Sequence, residues 1–178
     1  MIVRRAALSD LPEITAIYAD SVRTGTGSFE LEPPDLAEMT RRHAENGLDR
    51  DSFLVADEDG AVVGYAYYGP YHRRPGYAWS AEISVYVRGD QRRKGVGRAL
   101  VARLLENAER AGYRQMIAVI GDSQNAGSIG VHAAAGFTHA GTLKAVGYKL
   151  GGWRDVVLMQ KALGEGAGAP IDPAVRPR

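Results

Sequence analysis

Two sets of side chains in this sequence are suited to chemistry. The first is a basic, glycine-bearing stretch, Gln91-Arg92-Arg93-Lys94-Gly95-Val96-Gly97-Arg98. A helix is expected directly after it, because Leu100, Leu104, Leu105, Ala108 and Ala111 recur at three-to-four spacing from Arg98 onward. The first N–H groups of a helix have no internal partner, and the dipole there is positive, so a glycine turn opening a helix makes an anion site. Gly95 and Gly97 let the backbone approach a bulky phosphate. From Arg88 to Arg98 five cations stand against Asp90, a local excess of four in a chain whose net charge is only +1. The second candidate is Glu82, on the polar face of the strand that feeds this turn, where a carboxylate can serve as a general base.

Two common phosphate loops do not fit. Gly-Val follows Lys94, so the triphosphatase spacing Gly-x-x-x-x-Gly-Lys-Ser/Thr is missing. Leu100 stands where a dinucleotide fingerprint needs its third glycine. The chain has no cysteine, which removes an acyl-cysteine intermediate and thiolate metal sites. His43, His72, His132 and His139 form no zinc spacing, so no metal is expected. A nucleic-acid module fits poorly, since the basic patch is too short to follow a backbone and the overall charge is near neutral. No apolar run approaches the roughly 18 residues of a membrane span, and Arg4, Arg5, Ser9 and Asp10 break any secretory core, so a cytoplasmic protein is expected.

The elements around these residues read as one domain over residues 1–163. Ile2 to Arg5 forms a short strand. Asp10-Leu-Pro-Glu13 opens a helix with capping-box spacing and the buried stripe Leu11, Ile14, Ile17, Tyr18 and Val22. After the turn Thr24 to Ser28, a second helix runs from Asp35 to Asn46, with Gly47 as its C-cap. Ser52–Asp57 and Ala61–Tyr68 flank a hairpin signal, and a long strand follows from Tyr77 to Val87 with Ile83, Val85 and Val87 on one face. The helix from Arg98 to Ala111 leads to a strand at Arg114–Ile120, a helix at Asn125–Ala135, and strands at Phe137–Lys149 and Trp153–Lys161. Residues 164–178, rich in Gly, Ala and Pro, are expected to be a flexible tail.

Arg92, Gly95 and Gly97 match Arg/Gln-x-x-Gly-x-Gly, which resembles the pyrophosphate loop of the GCN5-related N-acetyltransferases, the GNAT family. Asn125 followed by His132-Ala-Ala-Ala-Gly136-Phe137 resembles that family's Asn…Tyr-x-x-x-Gly-Phe segment. Tyr77 to Val87, Ala118 to Gly121 and Gly147 to Val156 resemble its phosphinothricin and methionine sulfoximine acetyltransferase subgroup in particular. The resemblance implies an α/β (α+β) fold of order β-α-α-β-β-β-α-β-α-β-β with a mixed, mostly antiparallel sheet. It also implies acetyl-CoA as acyl donor, held by Val85, Tyr86, Val87, Arg92, Arg93, Lys94, Gly95, Val96, Gly97, Arg98, Asn125 and Ser128.

On this resemblance Glu82 is the catalytic base, and His132 replaces the family's tyrosine as proton donor to the thiolate. Phe29, Glu30 and Tyr148 line the pocket of an amino-acid-like acceptor, and the protein is a homodimer. Arg73 and Arg74, just before the Glu82 strand, are placed to bind the acceptor's carboxylate. A backbone N–H near Val87, freed by a strand irregularity, is expected to polarise the thioester carbonyl. Two other readings stay open: the same fold acting on a protein N-terminus or polyamine, and an acyl-CoA sensor that needs the loop but no base.

Overall fold

The computed structural model describes residues 1–46 and 51–177. Seven strands form one sheet in the order β1-β2-β3-β4-β5-β7-β6: β1 (Ile2–Arg5), β2 (Phe53–Glu58), β3 (Ala61–Pro70), β4 (Ser80–Val87), β5 (Gln115–Gly121), β6 (Thr138–Lys149) and β7 (Gly152–Ala162). Among the described residues only the β4–β5 pair is parallel. The helices are α1 (Leu11–Thr24), α2 (Leu36–Asn46), α3 (Val96–Arg110) and α4 (Ala126–Ala134). The element order is the expected one, and the sheet is mixed and mostly antiparallel.

The sheet is covered on both faces. On one face the stripe Val96, Leu100, Val101, Leu104, Leu105 and Ala108 of α3 packs on Leu54, Ala56, Val63, Ala66, Ile83 and Ala118. On the other, Leu11, Ile14, Ile17, Tyr18 and Val22 of α1, with Met39 of α2, cover Phe53, Val55, Val62 and Tyr65. This double cover explains why β3 is buried almost throughout and reads as a continuous apolar run. Gly64 sets the distance of α3: a Cβ there would stand 2.9 Å from Val96 Cγ1 and 3.3 Å from Leu100 Cδ1. The start of α3, and with it the basic turn, is thereby pressed onto the middle of the sheet.

The structure corrects several boundaries. A turn of 3-10 helix at Pro75–Tyr77 delays β4 until Ser80, because the ring of Pro75 presets the turn and Ala78 N–H bonds back to the Pro75 carbonyl at 3.1 Å. Asp10 does not cap α1 forward. Its carboxylate reaches back to Ala7 N–H at 2.8 Å and takes a forked pair from Arg4 at 2.7 and 2.9 Å, closing a 3-10 turn at Leu8–Asp10. The α3 helix starts at Val96, not Arg98, because Gly95 at φ 86° is its N-cap. The cap expected at Gly47 lies outside the described residues. Beyond Leu163 the described residues form no helix or strand; Glu165 pairs with Arg114 at 3.3 Å, and the Arg176 guanidinium lies 4.6 Å from the Trp79 ring centre.

His43 of α2 is 3% exposed, meets the Phe53 ring edge-on at 4.3 Å, and has no hydrogen-bond partner for either ring nitrogen. Burial, with the Arg42 charge beside it, lowers its pKa to about 4. Between that value and about 6.5, the unfolded chain binds a proton that the folded chain refuses, so stability falls as pH drops through this window. The loss is expected to reach about 3 kcal/mol at pH 4. In His43→Phe the urea midpoint should show correspondingly less dependence on pH between 6.5 and 4.

Candidate active site

β4 and β5 pair from Ser80↔Gln115 to Ile83↔Ala118 and then separate. The β3–β4 ladder meanwhile stays in unbroken register from Pro70↔Ala81 to Gly64↔Val87. Tyr71 N–H bonds to Ser80 O at 3.1 Å and Arg88 N–H to Val63 O at 3.0 Å, so the even-numbered residues of β4 face β3. Val85 and Val87 therefore turn their N–H groups toward the gap left by β5. The expected strand irregularity is absent: the separation of the strands, not a bulge, is what turns donors into the cleft.

A cleft of about 810 Å³ occupies this gap, within the usual size of ligand pockets. Its walls come from β4 (Ile83 to Val87), β5 (Ala118 to Gly121) and the two helix starts beyond them. At α3 the first intrahelical bond is Ala99 N–H to Gly95 O, so the N–H groups of Val96, Gly97 and Arg98 have no helical partner. Gly97 faces Val87 and Val131, with 3.6–3.7 Å left for a Cβ, so any larger side chain would close the passage between α3 and α4. The α4 start is tied to the end of β5: the Asn125 side chain accepts from Ser128 N–H at 3.2 Å and donates to Gly121 O at 3.4 Å.

The expected donor-binding residues mostly converge here. Val85, Tyr86, Val87, Arg92, Arg93, Gly95, Val96, Gly97, Arg98, Asn125 and Ser128 line the cleft, whereas Lys94 does not. Val96 is 3% exposed with its side chain in the core, which leaves its backbone for the cleft. Arg88 is held by Asp90 at 2.7 Å, while Arg92, Arg93, Lys94 and Arg98 make no ion pair among the described residues. Their charge is free for an anion. Sequence reasoning missed Ser21 at the end of α1, Gly25, Thr26 and Gly27 of the following loop, and Asp122. The signal available was the Gly-Thr-Gly spacing, which reads equally well as a plain turn.

Glu82 lies on the α1 face of β4, opposite Gly69 and one side-chain repeat, about 7 Å, behind the cleft-lining Ser84. Burial raises its carboxyl above the usual carboxylate range, and nearby His72 pulls the other way. Tyr86, two side-chain repeats further along the same face, packs edge-on against Tyr18 at 5.0 Å and stacks on Tyr65 at 5.1 Å, giving the strand a rigid aromatic floor. His132 lines the cleft, is 4% exposed and packs against Phe137. Its Nδ1 meets the Ser128 carbonyl at 2.9 Å. Since a carbonyl only accepts, Nδ1 carries the proton, and the buried, unpartnered Nε2 presents a lone pair. Burial also lowers the His132 pKa.

The expected acceptor residues are more scattered. The Phe29 ring lies over Gly147, where a Cβ would fall inside it. Glu30 accepts from Tyr18 at 3.0 Å and from Arg42 at 2.5 Å. Arg73 and Arg74 are exposed in the loop before β4, and Tyr148 is 58% exposed, edge-on to Trp153 at 5.5 Å. Among the described residues no group of three or more His, Cys, Asp or Glu side chains is placed to hold a metal, and no helix is long and apolar enough to cross a membrane.

The sheet thus parts beside a basic helix start, with a half-buried carboxylate one strand repeat from the cleft. Residues 3–158 match the Acetyltransferase (GNAT) domain family. A phosphinothricin N-acetyltransferase of Alcaligenes faecalis is 50% identical over 167 residues, covering 92% of this chain and 83% of the relative. The L-methionine sulfoximine/L-methionine sulfone acetyltransferase of Pseudomonas aeruginosa is 41% identical, covering 94% and 98%. The crystal structure of a phosphinothricin acetyltransferase from Sinorhizobium meliloti in complex with AcCoA superposes with a TM-score of 0.90 at 41% identity, covering 95% of this chain and 91% of that one.

The chain belongs to the GNAT acetyltransferase family. Its enzyme class is that of an acetyl-CoA-dependent N-acetyltransferase. Replacing Arg92 and Arg93 together by Ala should raise the KM for acetyl-CoA about tenfold at low ionic strength, with the difference shrinking as salt is added. Initial rates at 20 and 300 mM salt check this.

Proposed function

We propose that the protein transfers acetyl from acetyl-CoA to the α-amino group of a small amino-acid-like substrate of the phosphinothricin, methionine sulfoximine or methionine sulfone type. The reaction is direct attack in a ternary complex, because the chain has no cysteine to carry the acyl group. Acetyl-CoA, when bound, supplies the activated acyl group and a thiolate leaving group. The observation that carries the reading is Glu82, a carboxylate made more basic by burial and standing one strand repeat behind a cleft with a basic anion site at its far end.

Glu82 takes a proton from the acceptor's ammonium, directly or through water, and the raised carboxyl narrows the mismatch with an amine. The N–H groups of Val85 and Val87, aimed into the gap, polarise the acyl carbonyl. The basic turn and the α3 start hold the pyrophosphate, while Asn125 and Ser128 border the pantetheine arm. His132, neutral and protonated at Nδ1, offers an acceptor at Nε2. It can donate to the thiolate only after taking up a proton, which its burial disfavours. Arg73 and Arg74 remain the candidates for the acceptor's carboxylate, with Phe29, Glu30 and Tyr148 around its side chain.

The β6–β7 hairpin leaves Leu143, Val146, Tyr148, Leu150 and Trp153 from 49% to 66% exposed. A contiguous apolar edge of this kind supports a homodimer. Sedimentation should give twice the 19.2 kDa chain mass, and Trp153→Asp should lower it.

Thiol release should be followed over phosphinothricin, methionine sulfoximine, methionine sulfone, ordinary amino acids, spermidine and an N-terminal peptide. Turnover of the peptide or the polyamine alone would refute the substrate class. Glu82→Gln should lower kcat/KM at pH 7 by about a hundredfold to ten-thousandfold while leaving acetyl-CoA binding intact. In the wild type the base form is lost as pH falls through a value above that of a free glutamate, so the acid limb of kcat/KM should sit above about pH 4.3. Because the charged carboxyl is disfavoured by folding, Glu82→Gln should melt no lower than wild type at pH 8. An unchanged rate in this variant would remove Glu82 from the mechanism.

A further inference from the structure

Lys149, the last residue of β6, is 4% exposed. Its Nζ donates to the Ser28 carbonyl at 2.6 Å, across 121 residues of sequence. Burying an ammonium is costly, and an apolar side chain of similar size would serve packing better. Burial does lower the lysine pKa, with Glu30 opposing the shift. A charged donor in this place calls for an account of what it holds.

It holds the middle of the loop from Gly25 to Glu30. On one side of Ser28, Gly25, Thr26 and Gly27 line the cleft, and the Thr26 carbonyl lies so close to Gly121 that a Cβ there would overlap it. On the other side are Phe29, seated over Gly147, and Glu30, held by Tyr18 and Arg42. The Ser28 hydroxyl meets Tyr18 Oη at 3.0 Å. The loop thus crosses the open end of β5 and separates the donor cleft from the β6–β7 hairpin. From that hairpin, Lys149 reaches its main chain with a charged donor.

We propose that Lys149 is a positioning residue for the acyl acceptor: its bond to the Ser28 carbonyl fixes the Gly25–Glu30 loop, so that Phe29 and Glu30 are presented to the acceptor while Thr26 and Gly27 close the donor cleft. This rests on the acetyltransferase reading above, which assigns Phe29 and Glu30 to the acceptor pocket. It also makes the hairpin bearing Tyr148, Leu150 and Trp153 mechanically continuous with the site.

The test combines amide hydrogen exchange with two-substrate kinetics on the wild type, Lys149→Met and Lys149→Arg. In Lys149→Met the amides of 25–30 should exchange at least tenfold faster while those of α3 are unchanged, and the acceptor KM should rise about tenfold with a smaller change in kcat. Lys149→Arg, which keeps a charged donor, should recover most of both. If Lys149→Met does not fold, Lys149→Gln is read in the same way. Unchanged exchange at 25–30 overturns the loop-holding role, and faster exchange with an unchanged acceptor KM overturns the positioning role. A wild type that releases no thiol with any amine would instead refute the acetyltransferase reading, and the exchange data would still decide whether Lys149 holds the loop.

Discussion

The site exists because two parallel strands stop pairing. After Ile83↔Ala118 the hydrogen-bonding edges of β4 and β5 face each other across a gap, and neither neighbour can follow. β4 stays fully paired with β3, and β5 with β7 through Gly121↔Val156. The backbone groups facing the gap are therefore held rigidly on their outer sides and left open on their inner sides. That is the condition for polar groups to act on a ligand without reorganising.

In the proposed reaction the same parting lets donor and acceptor meet. The cleft is lined by residues from both faces of β4, with Ile83, Val85 and Val87 on the α3 face and Ser84 and Tyr86 on the α1 face. In the proposed reaction a thioester enters from the α3 side and meets the amine on the α1 side, near Glu82. The carboxylate is half-buried on that face, within reach of Tyr67, and burial shifts its carboxyl upward. Packing and reactivity thus have one source.

Charge is divided in a similar way. The cations of the basic turn are exposed and lack ion-pair partners among the described residues, which leaves them available for the anion binding proposed above. Arg4 and Arg42 are engaged with carboxylates and serve to brace segments of the fold. Seen as residue types they are alike. Only the neighbours supplied by folding distinguish an arginine that binds a ligand from one that braces a loop.

Local pattern determined a great deal. The order of elements, the glycine-bearing basic turn at a helix start and the placement of Glu82 on a polar strand face all follow from periodicity and residue type over stretches of about ten residues, where short-range sterics and hydrogen bonding dominate. The helix start at Val96 was missed by two residues, since the left-handed conformation at Gly95 that opens it is a backbone choice. What only the tertiary structure decided involves partners far apart in the chain: the opening between β4 and β5, the passage of Thr26 over Gly121, and the Lys149–Ser28 bond. Each depends on which surfaces meet in space, and a hydrogen bond across a hundred residues leaves no period in the sequence to be read.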